Sequence, residues 1–371
     1  MKNKINKYDF IIVGGGLIGS LTALALLQKG KTVAVFEKNN LKINDNRTLA
    51  VNANSREFLT NLGLWQKLSF KSEPIKKIII NDFINTEDLF FENKHEIMGS
   101  VIYNKDLLKI AQKELIKKKL LFKNIKLNLS ILKENKILII DKKKFIFKKI
   151  ILCLGKNFTE TDKLKKYNFE SHHRSFVGFF NHTKNHQNHA YESFTNLGPL
   201  AVLPAPKKNK KYSTFIFSSK TALNQKQLYQ LLNKYFKNTH GNISLQNEIN
   251  NFPIKPHLTK SIQNNYLLVG DTLRSIHPVA GQGWNLGIND IQELIRTTQN
   301  ISLNDQNFND IYFSRRLPEN IGFLLFTNLI NKFYENNNLF YRLVIKFGFQ
   351  SFLKFGFLRD IFIKKAMGRL N

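Results

Sequence analysis

The pattern of apolar and polar residues at the start of the chain predicts two strands joined by a helix. Residues 8–13 (YDFIIV) form a continuous β-branched and aromatic run, which is typical of a buried parallel strand. Residues 17–28 are helical in pattern, and a second apolar run at 32–36 is followed by Glu37. The chain therefore opens with a strand–helix–strand unit that ends in a carboxylate.

Further along, the pattern indicates both kinds of sheet and more helices. Residues 263–270 predict another buried strand and 288–298 a helix, while the alternation at 212–217 predicts an antiparallel sheet. Residues 123–147 predict compact hairpin strands, and the chain is helical in pattern from residue 308 onward. A length of 371 residues suggests two or three structural units.

The composition excludes several classes of protein. With 42% hydrophobic and 23% charged residues the chain can bury a sizeable core, which excludes a largely disordered protein. No apolar run approaches the roughly 18–20 residues of a spanning helix, and the first ten residues contain no signal-peptide apolar stretch. The single cysteine, Cys153, excludes a disulfide framework, so the reducing cytoplasm is the expected compartment.

The strong positive charge does not by itself indicate nucleic-acid binding. The chain has 57 basic and 27 acidic residues, a net charge of +30, but only ten of the basic residues are arginines. Lysine, asparagine, isoleucine and phenylalanine are all abundant, as A/T-rich codons would produce. Because phosphate and base-edge recognition favours the bidentate arginine fork, no nucleic acid is expected as a partner.

Three glycines lie between the first predicted strand and helix. Gly14, Gly16 and Gly19 fit the pattern G-x-G-x-x-G. The first permits a tight turn, the second lets a pyrophosphate approach the backbone, and the third lets the helix pack close to the strand. Glu37 would accept hydrogen bonds from a ribose diol, so the unit predicts dinucleotide binding without choosing between NAD and FAD.

A second glycine-rich turn follows the strand at 263–270. Asp271 comes directly after the strand, and residues 277–287 lead through a proline-containing loop into the next helix. Backbone N–H groups of residues 281–285 would point at an acceptor, and glycines there allow an aromatic ring to lie against the main chain. The alternative is an ordinary connection with Asp271 as a cap, against which the density of glycines argues.

The second turn resembles the signature of a known family. The stretch HPVAGQGWNLGIND (277–290) is similar to that of the ubiquinone-biosynthesis flavin hydroxylases, which are FAD-dependent aromatic monooxygenases with the para-hydroxybenzoate hydroxylase fold. Other segments agree in order along the chain: NRTLA (46–50), LGLW (62–65), YESF (191–194), GPLAVLP (198–204), YFSRRLPEN (312–320) and AMG (366–368). The resemblance covers nearly the whole chain.

The resemblance implies residues that hold the nucleotide part of FAD. Gly14, Gly16 and Gly19 would hold the pyrophosphate, and Glu37 the adenosine ribose. Arg47 would lie near the pyrophosphate, although a solvated charge at the entry to a helix is the open alternative for it.

The resemblance also implies residues near the ribityl chain and the isoalloxazine ring. Asp271 would bind the ribityl chain or the pyrophosphate. The isoalloxazine ring would be lined by two overlapping sets: Pro278, Gly281, Gln282 and Gly283 as the candidate catalytic positions, and Gly281, Gly283, Trp284 and Asn285 as cofactor-binding positions. Asn285 as a helix cap, and His277 as a loop-holding rather than substrate-contacting residue, stay open as alternatives.

The implied fold is α/β, with a Rossmann-like FAD-binding domain interleaved with a smaller, mainly antiparallel β-sheet substrate domain, followed by C-terminal helices. The expected FAD-binding parts are residues 1–71, 100–172 and 256–300. The expected substrate-domain parts are 72–99 and 173–255, and the C-terminal helical region is 301–371.

The implied activity is hydroxylation of the aromatic ring of a polyprenyl phenol in ubiquinone biosynthesis, with O₂ and a flavin C4a-hydroperoxide. Such a site must hold the ring over the flavin and exclude water, and it requires no metal. Two other functions stay open: a non-catalytic FAD-binding accessory subunit of a ubiquinone-synthesis assembly, and a related FAD-dependent reductase of prenyl chains.

The chain departs from the family in two places. The family's mid-chain Ala-Asp-Gly segment, thought to contact the flavin and the nicotinamide donor, corresponds to residues 150–157, which contain no aspartate. NAD(P)H as the electron donor is therefore left open. Where many members have a histidine shortly after Gly-Asp, this chain has Arg274.

The C-terminal region combines bulky apolar and basic residues at helical spacing. Residues 339–366 suit either a helix in a membrane headgroup interface or an aromatic face packed on the flavin domain, and both can hold for different helices. Two locations follow as alternatives: the cytoplasm, and a peripheral position on the anionic inner face of the cytoplasmic membrane.

Two polar stretches are expected to be solvent-exposed loops. His182, His186 and His189 lie in an asparagine-rich stretch, which favours a solvated loop over a metal site. The lysine-rich residues 207–211 predict the tip of a hairpin.

Overall fold

The computed structural model describes residues 5–39, 46–128, 136–155, 166–169, 171–206, 210–246, 248–259, 266–335 and 338–369. The α-helices of these residues are α1 (Leu17–Gln28), α2 (Ala53–Asn61), α3 (Asn104–Lys117), α4 (Gln225–His240), α5 (Gly283–Asn300), α6 (Phe308–Glu335), α7 (Leu339–Lys354) and α8 (Gly356–Ala366).

The strands up to residue 152 are β1 (Ile5–Val13), β2 (Val33–Glu37), β3 (Thr48–Asn52), β4 (Glu73–Ile75), β5 (Lys77–Asp82), β6 (Leu89–Glu92), β7 (Gly99–Tyr103), β8 (Leu121–Lys123), β9 (Ile137–Ile140) and β10 (Lys143–Leu152). The later strands are β11 (Lys166–Asn168), β12 (Arg174–His182), β13 (His189–Thr195), β14 (Gly198–Pro204), β15 (Tyr212–Ser219), β16 (Ile243–Leu245), β17 (Asn250–Pro253), β18 (His257–Thr259), β19 (Tyr266–Leu268) and β20 (Arg274–Ser275).

The first sheet is parallel in the order β19-β10-β1-β2-β8, with β9 added antiparallel to β10. Alternate residues of β1 face opposite sides of it, as the period of a strand requires. Phe10 and Ile12 pack in one core with α1, α3 and α5, whereas Ile11 and Val13 pack in another with β10 and Phe313 of α6. The predicted opening strand–helix–strand unit is confirmed. Within the predicted hairpin segment 123–147, β9 and β10 form an antiparallel hairpin, and residues 129–135 lie outside the described residues.

The second sheet runs in the order β16-β12-β15-β14-β13-β5-β6, with β17 also paired to β12. Its neighbouring strands are antiparallel except β13 and β5, which are parallel. Helix α4 covers one face through Leu228, Leu232 and Phe236, and a capping box of Asn224 and Gln227 fixes its start. Strands from 72–99 and from 173–255 share this sheet, as the interleaved fold predicts.

Two small sheets and the C-terminal helices connect these parts. The orders are β3-β7-β4 and β11-β18-β20. Helices α7 and α8 pack on the β4–β6–β7 region, where the rings of Phe91 and Phe362 lie 4.3 Å apart. The predicted helical C-terminal region is therefore confirmed over its described residues.

None of the helices in the described ranges has both the length and the apolar composition that crossing a bilayer requires.

Candidate functional site

The first glycine turn connects β1 to α1. Gly14 has φ +104°, and a Cβ there would collide with the carbonyl oxygen of Cys153 on the end of the sheet. A Cβ at Gly19 would collide with the carbonyl oxygen of Gly14, so the helix and the strand touch at this glycine. A Cβ at Gly16 would meet no atom of the described chain within 4 Å. Two glycines therefore serve close packing, and the middle one leaves open space.

The start of α1 offers hydrogen-bond donors to that space. Its N-cap is Gly16, and within the described residues it has neither a side-chain cap nor an acidic residue in the first turn. The first N–H groups of a helix have no partners inside the helix, and the helix dipole makes this end positive. An anionic group such as a pyrophosphate fits there.

The carboxylate of Glu37 lies directly beside this turn and is buried. Its Oε2 accepts a hydrogen bond of 2.8 Å from the N–H of Gly15, and its Oε1 accepts one of 3.0 Å from the N–H of Asn39. Each oxygen keeps acceptor capacity for a further donor, such as a ribose hydroxyl.

A residue of α3 that no sequence motif indicated also supports the first glycine turn. Gln112 of α3 is buried and donates from Nε2 to the carbonyl oxygen of Gly15 over 2.9 Å. Ser20 donates to the same oxygen over 3.0 Å. The available signal was a glutamine on the apolar face of the amphipathic α3, where a buried polar group needs a partner.

The second turn lies against the first turn of α1. A Cβ at Gly270 would lie 3.1 Å from Ile18, and one at Gly287 would lie 2.8 Å from the same side chain. Gly270 has φ +67°. Asp271 follows it, and the carbonyl oxygen of Asp271 lies 3.1 Å from Nε2 of His257. The two glycine-rich turns, more than 250 residues apart in sequence, are thus neighbours across Ile18.

Helix α5 begins five residues earlier than the sequence predicted. Residues 279–281 form a single 3₁₀ turn, and α5 starts at Gly283 with Gln282 as N-cap and no side-chain cap from the described residues. Gly281 has φ +60°, and a Cβ at Gly283 would meet no described atom within 4 Å. A second unprotected helix start, preceded by Pro278, therefore faces open space.

The side chain of Asn285 is used within the protein. Its Oδ1 accepts from the N–H of Asn52 over 3.2 Å and from Oγ of Ser55 over 2.8 Å, and its Nδ2 donates to the carbonyl oxygen of Ala50 over 3.0 Å. The Asn285 side chain therefore joins α5 to β3 and α2, so it is neither a helix cap nor free. Only its backbone N–H in the first turn of α5 is left for a cofactor role.

Two more of the residues assigned to cofactor binding have defined surroundings. The indole N–H of Trp284 is buried and makes no hydrogen bond within the described ranges. Arg47 is exposed before β3, with its guanidinium 5.8 Å from the ring centroid of Phe252 on β17. Its role near a pyrophosphate stays a prediction.

Arg274 forms a buried ion pair behind the second turn. Its Nη1 lies 2.6 Å from Oδ2 of Asp290, and both side chains are almost fully buried. Asp290 also accepts from the N–H of Gly270 over 3.0 Å and from Nε of Arg316 over 2.8 Å. Burial alone would lower the pKa of Arg316, but the carboxylates of Asp290 and Glu319 outweigh it and raise that pKa.

His277 is a buried, neutral group. Burial, and then the neighbouring His173 at 5.0 Å between ring centroids, lower its pKa to about 3. Neither ring nitrogen makes a hydrogen bond with the described part of the chain. Nε2 of His173 lies 2.8 Å from the carboxylate of Glu335 at the end of α6. Burial alone would raise the pKa of Glu335, but hydrogen bonds from His173 and Lys220 outweigh burial and lower that pKa to about 2.

A cavity of about 1180 Å³ lies between the second turn, the second sheet and the C-terminal helices. At the turn it is lined by Val279, Gly281, Gln282 and Asn285. Its sheet wall includes Ile78, Ile80, Tyr191, Phe194, Leu203 and Ile216, and its helix wall includes Phe323, Phe326, Phe349, Phe352, Ile361 and Phe362. A mainly apolar space of this size suits a large apolar ligand.

The expectation of a solvated histidine loop is wrong for His182 and His186. They are 5% and 2% exposed, because they pack with His240 at the end of α4; the rings of His182 and His240 are 4.7 Å apart. Within the described ranges, no group of three His, Cys, Asp or Glu residues is placed to hold a metal ion. Residues 207–209 of the predicted hairpin tip lie outside the described residues.

Cys153 is a core residue, and parts of two predicted segments are not described. Cys153 is buried at the end of the first sheet, and burial raises the pKa of its thiol to about 12, which is typical of a core residue. Residues 156 and 157, part of the segment without an aspartate, and 263–265 of the predicted strand also lie outside the described residues.

Known proteins resemble this chain over most of its length. The sequence matches the FAD binding domain family over residues 7–124 and 157–301, well over half of the chain. It is 24% identical to the ubiquinone hydroxylase UbiL of Rhodospirillum rubrum, over 98% of this chain and 90% of that protein. It is 22% identical to the 3-demethoxyubiquinol 3-hydroxylase of Escherichia coli, over 97% and 98% of the two chains.

Solved structures show the same fold. The p-nitrophenol 4-monooxygenase PnpA of Pseudomonas putida superposes with a TM-score of 0.75 at 15% identity, over 98% of this chain and 99% of that one. The family match and the named relatives confirm the expected resemblance, the α/β fold class and FAD as the cofactor.

Proposed function

The chain belongs to the FAD binding domain family, and on that premise we propose that it is an FAD-dependent monooxygenase that hydroxylates the aromatic ring of a polyprenyl phenol in ubiquinone biosynthesis. The relatives named as ubiquinone and demethoxyubiquinol hydroxylases support this reaction class. The observation that carries the proposal is the apolar cavity that begins at the second glycine turn.

The residues of the two turns fit FAD. The open space at Gly16 and the N–H groups at the start of α1 would hold the pyrophosphate, and the acceptor capacity left on Glu37 would hold the adenosine ribose. Asp271, placed against the same helix start through Gly270, would bind the ribityl chain or the pyrophosphate. The assignment rests on a cradle that side chains at Gly14 and Gly19 would destroy.

The second turn would hold the isoalloxazine ring. Gly281 and Gln282 line the cavity, Gly283 begins α5 with open space beside its Cα, and Pro278 precedes the 3₁₀ turn. When bound and reduced, FAD supplies the activation of O₂ that ring hydroxylation needs. The unprotected N–H groups of α5 would stabilise negative charge on a ring lying against them.

The rest of the chain positions the substrate and excludes water. The aromatic ring would lie next to Gly281 and Gln282, and the apolar tail would extend between the second sheet and the helices. The apolar cavity lining must exclude water, because water near the reacting atoms diverts reduced flavin and O₂ to hydrogen peroxide. His277 stays neutral, is not among the cavity-lining residues, and would keep the loop in place.

Three finer points belong to the same proposal. The division into FAD-binding parts at 1–71, 100–172 and 256–300 and substrate parts at 72–99 and 173–255 is supported by the two separate sheets. Whether NAD(P)H is the direct electron donor depends on a segment that has no aspartate. A ubiquinone-synthesis protein assembly and an anionic membrane surface are proposed partners.

The test is single-turnover hydroxylation with labelled oxygen. FAD-loaded protein, reduced chemically and mixed with a prenylated phenol under ¹⁸O₂, should yield a hydroxylated ring carrying one ¹⁸O atom. Normal FAD binding without product from any reductant would instead indicate the accessory subunit. Loss of double bonds from the prenyl tail without oxygen incorporation would indicate the prenyl reductase.

A further inference from the structure

The C-terminal helices expose an unusual amount of apolar surface. Of the 21 large hydrophobic side chains that are exposed in the described residues, eleven lie on or between α6, α7 and α8. We call this surface the C-terminal face, and its members are Ile321, Leu325, Phe326, Leu329, Leu339, Phe340, Leu343, Phe347, Phe355, Phe357 and Ile361. Apolar residues that are exposed together on neighbouring helices mark an interaction surface more often than single ones do.

The spacing of these residues forms two stripes. Leu339, Leu343 and Phe347 recur every four residues along α7 and are 73%, 57% and 76% exposed. The same helix buries Ile345 and Phe349 against the cavity on its other side. Because the inner side already supplies the packing of α7, the outer stripe is not needed for the core of this chain.

Helix α6 carries the second stripe, at Ile321, Leu325 and Leu329. Its buried side, by contrast, includes the polar residues Asn320 and Thr327. Over residues 320–331 the buried side of α6 is mainly polar, with Leu324 as its apolar member, while the outer side is apolar. This is the reverse of an ordinary surface helix, so the outer side suits an apolar medium.

Charge decides between the occupants that could supply that medium. Residues 339–369 contain seven basic residues and a single acidic one, Asp360. If two copies of this chain associated through their C-terminal faces, two surfaces of like charge would meet, which opposes association. Anionic lipid headgroups offer the opposite charge around an apolar interior, and aromatic residues with lysines and arginines are the composition of interfacial helices.

The cavity and the C-terminal face share residues. Phe326 of α6 and Ile361 of α8 line the cavity and are themselves 50% and 49% exposed. The same cavity is lined by Gly281 at the second glycine turn. A continuous apolar path therefore leads from the C-terminal face to the turn that would hold the flavin ring.

We propose that the C-terminal face docks on an anionic membrane and that the cavity opens there into the lipid layer. A substrate with an apolar tail would then pass from the bilayer to the reaction centre without exposing the tail to water. The route for the tail rests on the proposed function, whereas docking itself rests on the stripes and the charge alone.

Docking is tested by flotation of the full-length, FAD-loaded protein with vesicles. Vesicles of equimolar phosphatidylcholine and phosphatidylglycerol should carry the protein, and phosphatidylcholine alone should carry much less. Phe347→Gln should reduce the floated fraction roughly tenfold, because one exposed phenylalanine is lost from the apolar contact. Lys346→Gln and Lys354→Gln should each reduce it about fivefold.

Matched variants elsewhere on the surface serve as controls. Phe70→Gln removes a phenylalanine that is 75% exposed, almost the same as Phe347, but lies far from α6–α8 in sequence and outside the defined face. Lys226→Gln removes an exposed lysine of α4. Equal loss in Phe70→Gln and Phe347→Gln would overturn the proposal, and so would a Phe347-dependent dimer that does not float with either vesicle.

The access route has a separate readout. With a long-tailed phenol supplied in vesicles, Phe347→Gln should slow turnover, whereas a short-chain, water-soluble phenol should react as in the unsubstituted protein. Equal slowing of both substrates would overturn the route. If neither phenol is hydroxylated by the unsubstituted protein, the proposed function fails, and the flotation result still decides whether the membrane is the docking partner.

Discussion

Arg274 donates from Nη1 to Oδ2 of Asp290 over 2.6 Å, in an ion pair that is almost fully shielded from water. The guanidinium of Arg274 reaches α5 through this contact. Asp290 also holds the N–H of Gly270 and the guanidinium of Arg316. The pair therefore fixes the second glycine turn to α5 and α6, which makes Arg274 a positioning residue.

Asp290→Asn should strongly destabilise the protein. The change leaves the buried Arg274 and Arg316 without their shared counter-charge, and breaking a buried pair in this way costs about 3–5 kcal/mol. Urea unfolding of the FAD-free protein measures this loss. Asp141→Asn, at an exposed turn where an asparagine suits the positive φ, should change the free energy of unfolding by less than about 0.5 kcal/mol. If Asp290→Asn has the same free energy of unfolding as this control, the buried ion pair does not stabilise the fold.

Gly16→Val should remove FAD binding while leaving the fold intact. Gly16 has φ −64° and ψ −171°, which valine adopts without strain, and its Cβ would point into open space. The new side chain would occupy the space assigned to the pyrophosphate, so FAD affinity should fall at least about tenfold. Fluorescence titration of the FAD-free protein measures the affinity, and circular dichroism measures the fold.

Gly356→Val is the matched control for this change. Gly356 lies at the start of α8, where the nearest described atom to an added Cβ is 3.9 Å away, and it is remote from both glycine turns in sequence. The Gly356→Val protein should bind FAD with the same affinity as the unsubstituted protein. Unchanged affinity in Gly16→Val would mean that the pyrophosphate lies elsewhere.

The extent to which the site could be predicted depends on how local each contact is. Gly14 and Gly19 act within one turn, so their spacing alone indicated the tight turn at Gly14 and the close packing at Gly19. The predicted strands and the start of α1 follow equally from local pattern. The junction of the two turns at Ile18 could be expected only from the family resemblance, because Gly270 lies more than 250 residues away.

The missed features all depend on contacts between distant segments. Asn285 looked available for the cofactor because its partners Ser55 and Asn52 are more than 200 residues away. His182 and His186 looked solvated because their surroundings in sequence are polar, yet His240 of α4 closes over them. A sequence shows the polarity of a segment but not which helix will cover it.

The buried histidines should make stability fall in mild acid. Burial is the main cause that lowers the pKa of His186 to about 4 and those of His240 and His277 to about 3, whereas an unfolded histidine titrates near 6.5. The unfolded chain therefore binds more protons between these values, so stability is full above about pH 6.5 and is lost as the pH falls toward 3–4. Urea unfolding midpoints measured between pH 7.5 and pH 5 should decrease steadily.

A single substitution isolates this contribution. His240→Phe keeps the ring packed against Phe180 and Phe236 and removes one titrating group, so its stability should depend less steeply on pH. His95→Gln, at an exposed position, should leave the slope unchanged. A slope that is identical in all three proteins would exclude His240 as a source of the acid sensitivity.

The cavity wall offers a position that separates tail binding from ring chemistry. Gly348 of α7 lines the cavity, and a Cβ there would meet no described atom within 4 Å. Gly348→Leu would therefore fill part of the apolar space and should also stabilise α7, since glycine costs roughly 0.5–1 kcal/mol in a helix interior. We expect kcat/KM for a long-tailed phenol to fall about tenfold while a short-chain phenol reacts as before, because only the tail needs the filled space. Gly356→Leu, outside the cavity lining, should leave both substrates unaffected. If Gly348→Leu slows both phenols equally, the cavity holds the ring itself or no substrate at all, and the tail must be placed elsewhere.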